Sequence, residues 1–462
     1  MQKEALDTKT RNLILILFLI GVFMGSLDTG IIGPVLPSIE QAFRLTSRES
    51  SWIFTLFVIT FMIGSPVMAK FSDFYGRKKI FILDVLLFGI GSCLIAFSMN
   101  IESIFLGRII QGFGCGGIFP VAGAFIGDGF PLEERGKALG ILGSVFGISA
   151  IGGPLVGAVL IPYGWNWCFT INIPISIFLI IFAQRILPDS ENERKLKIDY
   201  VGIIILSLLA VSLAYGLNQI DSSNFISSLL SLKVLPFLML FIVLIPIFLK
   251  IEKRAEESIV PIHMLKNKEI SIACIETLCY GIIYSSVIFI PSLVILSMGL
   301  SNQFASLMLI PILGANAVAA PILGKILDST GSRKLMAYGT FILTIGLIAI
   351  AIYPDNLLFF IVSGCLVGVG MVTIIGAPLR YIVLSEAKPY ERGAGQAIVN
   401  MLSSAGQLMG GALIGGIIAS FSGILGYKVS LILAAAVAFV AFLFTLKLKS
   451  RDEQIKTMKS NI

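Results

Sequence analysis

The chain is 462 residues long, with 56% hydrophobic residues, a mean hydropathy of +0.95, only 13% charged residues and a formal net charge of +7. Roughly a quarter of the residues of a soluble globular domain are charged, so this composition excludes that class and points to a membrane protein. A single histidine, His263, leaves almost no raw material for a zinc, haem or Ser-His-Asp centre, and the six cysteines sit in or beside apolar stretches, as small buried hydrophobes rather than disulfides.

Apolar runs of about 20 residues, each able to cross a hydrocarbon layer of ~30 Å, alternate with short polar connectors. In chain order the predicted spans are 12–37, 51–71, 80–98, 102–127, 138–162, 167–187, 200–218, 234–250, 270–297, 304–327, 335–353, 356–384, 394–421 and 426–447. The first run is too long for a cleaved signal and lacks a small-residue cleavage site, so it is expected to stay as helix 1. With the N-terminus inside, most of the 34 Lys and Arg residues fall in inner loops and tails, leaving Arg44, Arg48, Lys233 and Lys428 outside and Arg108 within a span. The positive charge therefore reads as a topology signal with both termini cytoplasmic, and nucleic acid is not an expected partner.

Two connectors recur. "AKFSDFYGRKKI" from Ala69 is matched by "GKILDSTGSRKL" from Gly324, aligning Asp73 and Gly76 with Asp328 and Gly331, and Arg77, one position displaced, with Arg333. "PLEERGKALG" from Pro131 is matched by "PYERGAGQAI" from Pro389, aligning Glu134 and Arg135 with Glu391 and Arg392 at nearly the same offset. Repeated connectors in the same order imply two halves of like structure. The expected architecture is all-α: a six-helix bundle over 1–187, linkers with two extra spans over 188–269, and a second six-helix bundle with a cytoplasmic tail over 270–462. Two such bundles rocking about a site at the bilayer midplane is a design of secondary transporters.

Residues 69–80 are similar to the loop 2–3 signature of the major facilitator superfamily, with Ala69 in place of its first glycine and Phe74 in place of its arginine. "LGRIIQGFGCG" at 106–116 resembles the superfamily's helix 4 motif, and "GSVFGISAIGGPLVGA" in helix 5 resembles its drug-antiporter signature. "LDTGIIGPVLP" at 27–37 and "GWNWCFTINIP" at 164–174 resemble helix 1 and helix 6 of its fourteen-helix drug:proton antiporters, with departures at Gly33 and Asn166. The resemblance covers nearly the whole chain. It implies an antiporter driven by a proton gradient, without a cofactor, and a latch that joins the cytoplasmic faces when the transporter faces outward. Asp73, Gly76 and Arg77, their counterparts Asp328, Gly331 and Arg333, and the charged turns Glu134-Arg135 and Glu391-Arg392 are the expected latch. A purely topological role for the cations leaves the repeated Asp unexplained.

In helix 5, Gly147, Gly153, Pro154 and Gly157 suggest a bend at the interface between the halves, against a reading as generic close packing. Ionisable groups deep in spans are functional candidates, and Asp28, Arg108 and Glu276 stand out. At 1.5 Å per residue, Asp28 and Arg108 lie within roughly 5 Å of the same depth, so they form either a static pair or part of a proton-loading site. Gln111 shares a helix face with Arg108, and Tyr280 with Glu276, where a carboxylate beside an aromatic ring suits a proton or a lipophilic cation.

The expected function is a proton-coupled exporter of amphipathic, often cationic compounds, working as a monomer in the bilayer of a bacterial cell membrane. An exporter of an endogenous solute or lipid on the same fold, or a channel or scramblase, are the alternatives. An enzyme is not expected, because no nucleophile–base or metal cluster is visible.

Overall fold

The computed structural model describes residues 7–45, 47–188, 199–220, 224–255, 258–300, 302–388, 391–421 and 423–460. It contains 14 helices long and apolar enough to cross a membrane. The first six are α1 (Thr8–Phe43), α2 (Glu49–Tyr75), α3 (Arg77–Ala96), α4 (Ile101–Gly129), α5 (Glu134–Tyr163) and α6 (Trp167–Ile186). Two more follow, α7 (Tyr200–Asn218) and α8 (Leu235–Arg254). The last six are α9 (Lys268–Met298), α10 (Ile310–Thr330), α11 (Ser332–Ile352), α12 (Leu357–Glu386), α13 (Arg392–Ser420) and α14 (Ile424–Thr445), and a terminal helix α15 (Arg451–Ser460) ends the description. Each expected span falls on one of these helices. Most of the first charged linker, residues 189–198, and Pro389 of the second repeated turn lie outside the described residues.

The fold is two six-helix bundles plus an inserted pair. Asp7, Asn100, Asp199, Asn267 and Asn356 cap the helices that follow them by accepting backbone N–H groups, which fixes where α1, α4, α7, α9 and α12 begin. Two helices are broken inside the membrane. α9 is interrupted at Phe289, just before Pro291. α12 is interrupted at Gly376, whose ψ of −149° leaves the helical region ahead of Pro378. The inserted pair α7 and α8 pack on each other, and α7 leans on α2 of the first bundle and α13 of the second, sharing an apolar cluster with Ile59, Ile63 and Ile398.

The halves meet along one seam, where α2, α4 and α5 face α10, α12 and α13. α1 and α9 make their extensive contacts only within their own halves. At the face that carries the chain termini, α5 and α10 approach to backbone contact: a Cβ added at Gly140 would lie 2.6 Å from the Ala320 carbonyl, and one added at Gly324 would lie 2.6 Å from the Gly136 carbonyl. Gly147 meets Ala317 halfway along. Beyond it the seam parts, and α5 turns its glycines to α1. Gly153 packs on Gly30, and Gly157 on Pro34. The Gly153-Pro154-Gly157 stretch, expected at the interface between halves, thus lies inside the first bundle, with Pro154 exposed and α5 helical through it. The reason is geometric: away from the terminal face the halves diverge, and α1 is the nearest backbone.

A Gly324→Val substitution is expected to wedge this crossing apart. Spin labels at the exposed positions Lys137 and Arg333 should then report a longer distance than in the unsubstituted protein, whereas an unchanged distance would show that the crossing does not hold the face closed.

Candidate functional site

In the first bundle, Asn100 sets the start of α4 and puts Arg108 and Gln111 three residues apart on one face. Both point at Asp28 of α1. The Arg108 Nη1 donates to Asp28 Oδ2 at 2.6 Å and to Gln111 Oε1 at 2.6 Å, while Gln111 Nε2 donates to Asp28 Oδ1 at 2.8 Å and to the Ser92 hydroxyl of α3 at 2.9 Å. Asn172 of α6 adds a third donor to Asp28 at 3.2 Å, and Arg108 Nε reaches the Ile53 carbonyl of α2 at 2.9 Å. The guanidinium also lies 4.2 Å over the Phe57 ring. Asp28 and Arg108 are buried, and a buried ion pair repays its desolvation only with such added hydrogen bonds. The network ties five helices together, and Ser92 and Asn172 are members that the sequence reading missed.

The second bundle is unbalanced. Glu276 of α9 is fully buried, and neither of its carboxylate oxygens has a hydrogen-bond donor among the described residues. Tyr280, one turn on, stacks on Tyr284 with ring centroids 5.8 Å apart and makes no hydrogen bond to Glu276 among the described residues. Arg380 of α12 is buried at the seam, bonded through Nη1 to Gln396 Oε1 and through Nη2 to Asn400 Oδ1, each at 3.0 Å, and its guanidinium lies 3.7 Å over the Phe119 ring of α4 in the opposite half.

Arg380 was passed over in the sequence because a cation near the end of a span reads as a topology signal. The Gly376-Ala377-Pro378 break just before it was the available clue. Asp84 of α3 was passed over too. Its buried carboxylate has no donor on either oxygen among the described residues and fills the space left by Gly117 of α4.

The repeated connectors meet across the seam. Asp328, at the end of α10, accepts from the Gly136 and Lys137 backbone amides of α5 at 3.0 and 3.2 Å. Asp73, at the end of α2, lies against Gly393 of α13, where an added Cβ would sit 2.9 Å from Asp73 Oδ1. Each half's Asp-x-x-Gly connector is thus seated on the other half's Glu-Arg-Gly turn. Gly76 and Gly331 carry φ of 94° and 79°, which only glycine adopts without strain.

On the first side, Arg77 pairs with Asp73 at 2.5 Å and with Asp128 at 3.2 Å, and Arg392 from the other half pairs with the same Asp128 at 2.8 Å. Asp128 is therefore the hinge of this ionic bridge, and the sequence reading did not include it. Glu134 pairs with Arg11 at 2.6 Å, Glu391 with His263 at 3.0 Å, and Arg135 donates to the Phe130 carbonyl at 3.0 Å. Arg333 departs from its expected latch role. It is exposed and makes no ion pair among the described residues, and Arg451 of α15 bonds the Asp328 carbonyl in its place. The displaced spacing after Gly331 turns Arg333 away from the seam.

A family model described as Major Facilitator Superfamily matches residues 18–315 and 272–460. Over 424 residues the chain is 31% identical to the uncharacterized MFS-type transporter YfiU of Bacillus subtilis, covering 90% of this chain and 82% of that protein. Multidrug resistance protein 3 of the same organism is 29% identical over 86% of this chain and 77% of its own length. The riboflavin transporter RibZ of Clostridioides difficile is 25% identical over 84% of each. Among solved structures, the human organic anion transporter MFSD10 superposes with a TM-score of 0.72 over 95% of this chain and 100% of that one, at 13% identity. The proton:xylose symporter XylE gives 0.66 over 96% and 98%, at 14%. With the two-bundle fold, the crossed connectors and these matches together, the chain belongs to the Major Facilitator Superfamily, a family of transporters rather than enzymes.

Proposed function

We propose that the protein is a proton-driven multidrug antiporter that exports amphipathic, often cationic compounds by alternating access. The observation that carries this reading is Glu276: a fully buried carboxylate without a donor among the described residues. An uncompensated charge at such a position is strongly disfavoured, so the group is stable either with a proton or beside a cation. A proton and a cationic compound then compete for one site, which is the physical content of antiport. The likeness to proteins named as multidrug transporters supports the substrate class.

The excess of Lys and Arg at the terminal face supports a cytoplasmic position for that face, and the bacterial relatives support a bacterial cell membrane. The closed seam there corresponds to an outward-facing state. In the transport cycle the Asp128 bridge and the Asp328 seat release, the cytoplasmic side opens to admit the compound, and a proton arriving from outside displaces it after the halves rock back. Asp28 and its partners hold the first bundle rigid around the site, so the coupling carboxylate is Glu276. No cofactor is required, and a monomer suffices. Transport of an endogenous aromatic solute on the same fold is a second reading, favoured by the similarity to a riboflavin transporter.

In liposomes under an inward-acid gradient, ethidium should draw protons through the wild type. Glu276→Gln should abolish that flux while leaving thermal stability near wild type, because it removes no hydrogen bond. Asp28→Asn should instead strip Arg108 of its counter-charge and destabilise the fold by about 3–5 kcal/mol, seen as a lowered unfolding temperature. Full coupling in the Glu276 variant would sink the assignment. Asp128→Asn should loosen the bridge and raise the alkylation rate of a cysteine placed at Ala394; an unaltered rate would deny Asp128 a role in closure.

A further inference from the structure

Arginines near the seam are generally neutralised by this chain. Arg108 meets Asp28, Arg77 meets Asp73, Arg392 meets Asp128, and Arg11 meets Glu134. Arg380 differs. It is 3% exposed, yet its side-chain hydrogen-bond partners are the neutral oxygens of Gln396 and Asn400, and no carboxylate among the described residues pairs with it. Gln396 is itself held by donating Nε2 to the Arg380 carbonyl at 3.1 Å. Beside the guanidinium, the buried Nδ2 of Asn400 has no acceptor among the described residues. Turning the amide over would place its NH₂ against the guanidinium, so the Arg380 bond fixes its orientation. A buried cation and an unused donor on its neighbour make a pocket rich in donors and short of acceptors, and an anion is what such a set lacks.

Two further features suit a ligand. Arg380 lies in the first turn of the half-helix Ala377–Glu386, created by the break at Gly376, and helix starts inside a membrane protein favour negative charge. The lid over the guanidinium is Phe119, which belongs to the other half. Separation of the halves at the terminal face lifts that lid without disturbing Gln396 or Asn400, which travel with Arg380.

We propose that Arg380 and Asn400 form a binding site for a carboxylate or like anionic group of the transported compound, uncovered when the terminal face opens. The inference rests on the transport reading only for the opening motion. It adds to the substrate class amphipathic compounds that carry an anionic group as well as a cationic one, with the cationic end left to Glu276.

The test uses a matched pair of cationic xanthene dyes, one with a free benzoate and the other its methyl ester, and measures equilibrium binding to the purified full-length protein by fluorescence polarisation. The wild type is expected to bind the free acid about tenfold more tightly than the ester, the size of a charged hydrogen-bonded contact. Arg380→Gln should abolish that preference while ester affinity stays within about twofold. Asn400→Leu, with the guanidinium still present, should reduce the preference severalfold, and it decides the matter if Arg380→Gln fails to elute as a folded species. Asp128→Asn should strengthen free-acid binding by populating the open state.

A preference that survives both pocket substitutions, a wild type that does not distinguish the dyes, or an equal loss of both dyes in a folded Arg380→Gln protein would each overturn the site. Ethidium-driven proton flux separates the two readings. If it persists while the acid preference is absent, the anion site alone fails. If it is absent while the preference depends on Arg380, the antiport reading fails and the site stands.

Discussion

The backbone-to-backbone crossing of α5 and α10 is the contact on which the described state depends. Gly140 and Gly324 have no side chains to keep the helices apart, and Asp328 fastens the crossing by accepting two backbone amides of the opposite half. Only because these helices meet so closely do Phe119 and Arg380 come into contact, and only then can Arg392 reach Asp128. In the ionic bridge Asp73 and Arg392 are buried, while Arg77 and Asp128 keep partial access to solvent. A closure made of close packing plus hydrogen-bonded contacts at its rim opens when what is bound favours the open state.

The two copies of the connector have diverged in how they use the same geometry. Both place an Asp at a helix end against the Glu-Arg-Gly turn of the other half. Around Asp73 the contact is ionic, with Arg77, Asp128 and Arg392 in a chain. Around Asp328 it is made with backbone amides, and the nearby cation is Arg451 from the terminal helix rather than Arg333. Neutralising side chains on the first side leaves the backbone contacts of the second intact, so the closure has two parts with different dependence on salt.

The fourteen spans were legible because the bilayer demands long apolar runs, and the pairing of Asp28 with Arg108 was legible because charges inside such runs are rare. Which face of a helix lies inside was not, since lipid is as apolar as a protein core. α8 is among the most apolar helices and largely faces outward, whereas the glycine-rich α4 is the most enclosed. The partners of Gly153 and Gly157 depended on where the seam diverges, a property of the conformation and not of local sequence. Arg380 and Asp84 were lost for a related reason: both lie within four residues of the end of a predicted span, where a single charge reads as facing the interface, and only the packing shows that each is buried.

Charge balance divides the halves. In the first bundle Asp28 and Arg108 neutralise each other and Asp28 receives three donors, while the buried Asp84 has no donor among the described residues. In the second, Glu276 and Arg380 are both buried and are not paired with each other. Had evolution required only stability, pairing them or replacing both by apolar residues would have removed two burial penalties. Keeping an acid and a base apart in one half leaves each to be completed by something the protein does not contain. A group whose counter-charge arrives and departs can link the motion of the halves to what is bound, because each arrival changes the free energy of burying it. The Asp28–Arg108 pair of the first bundle, already neutralised, has no such dependence and serves as part of the wall against which the second half works.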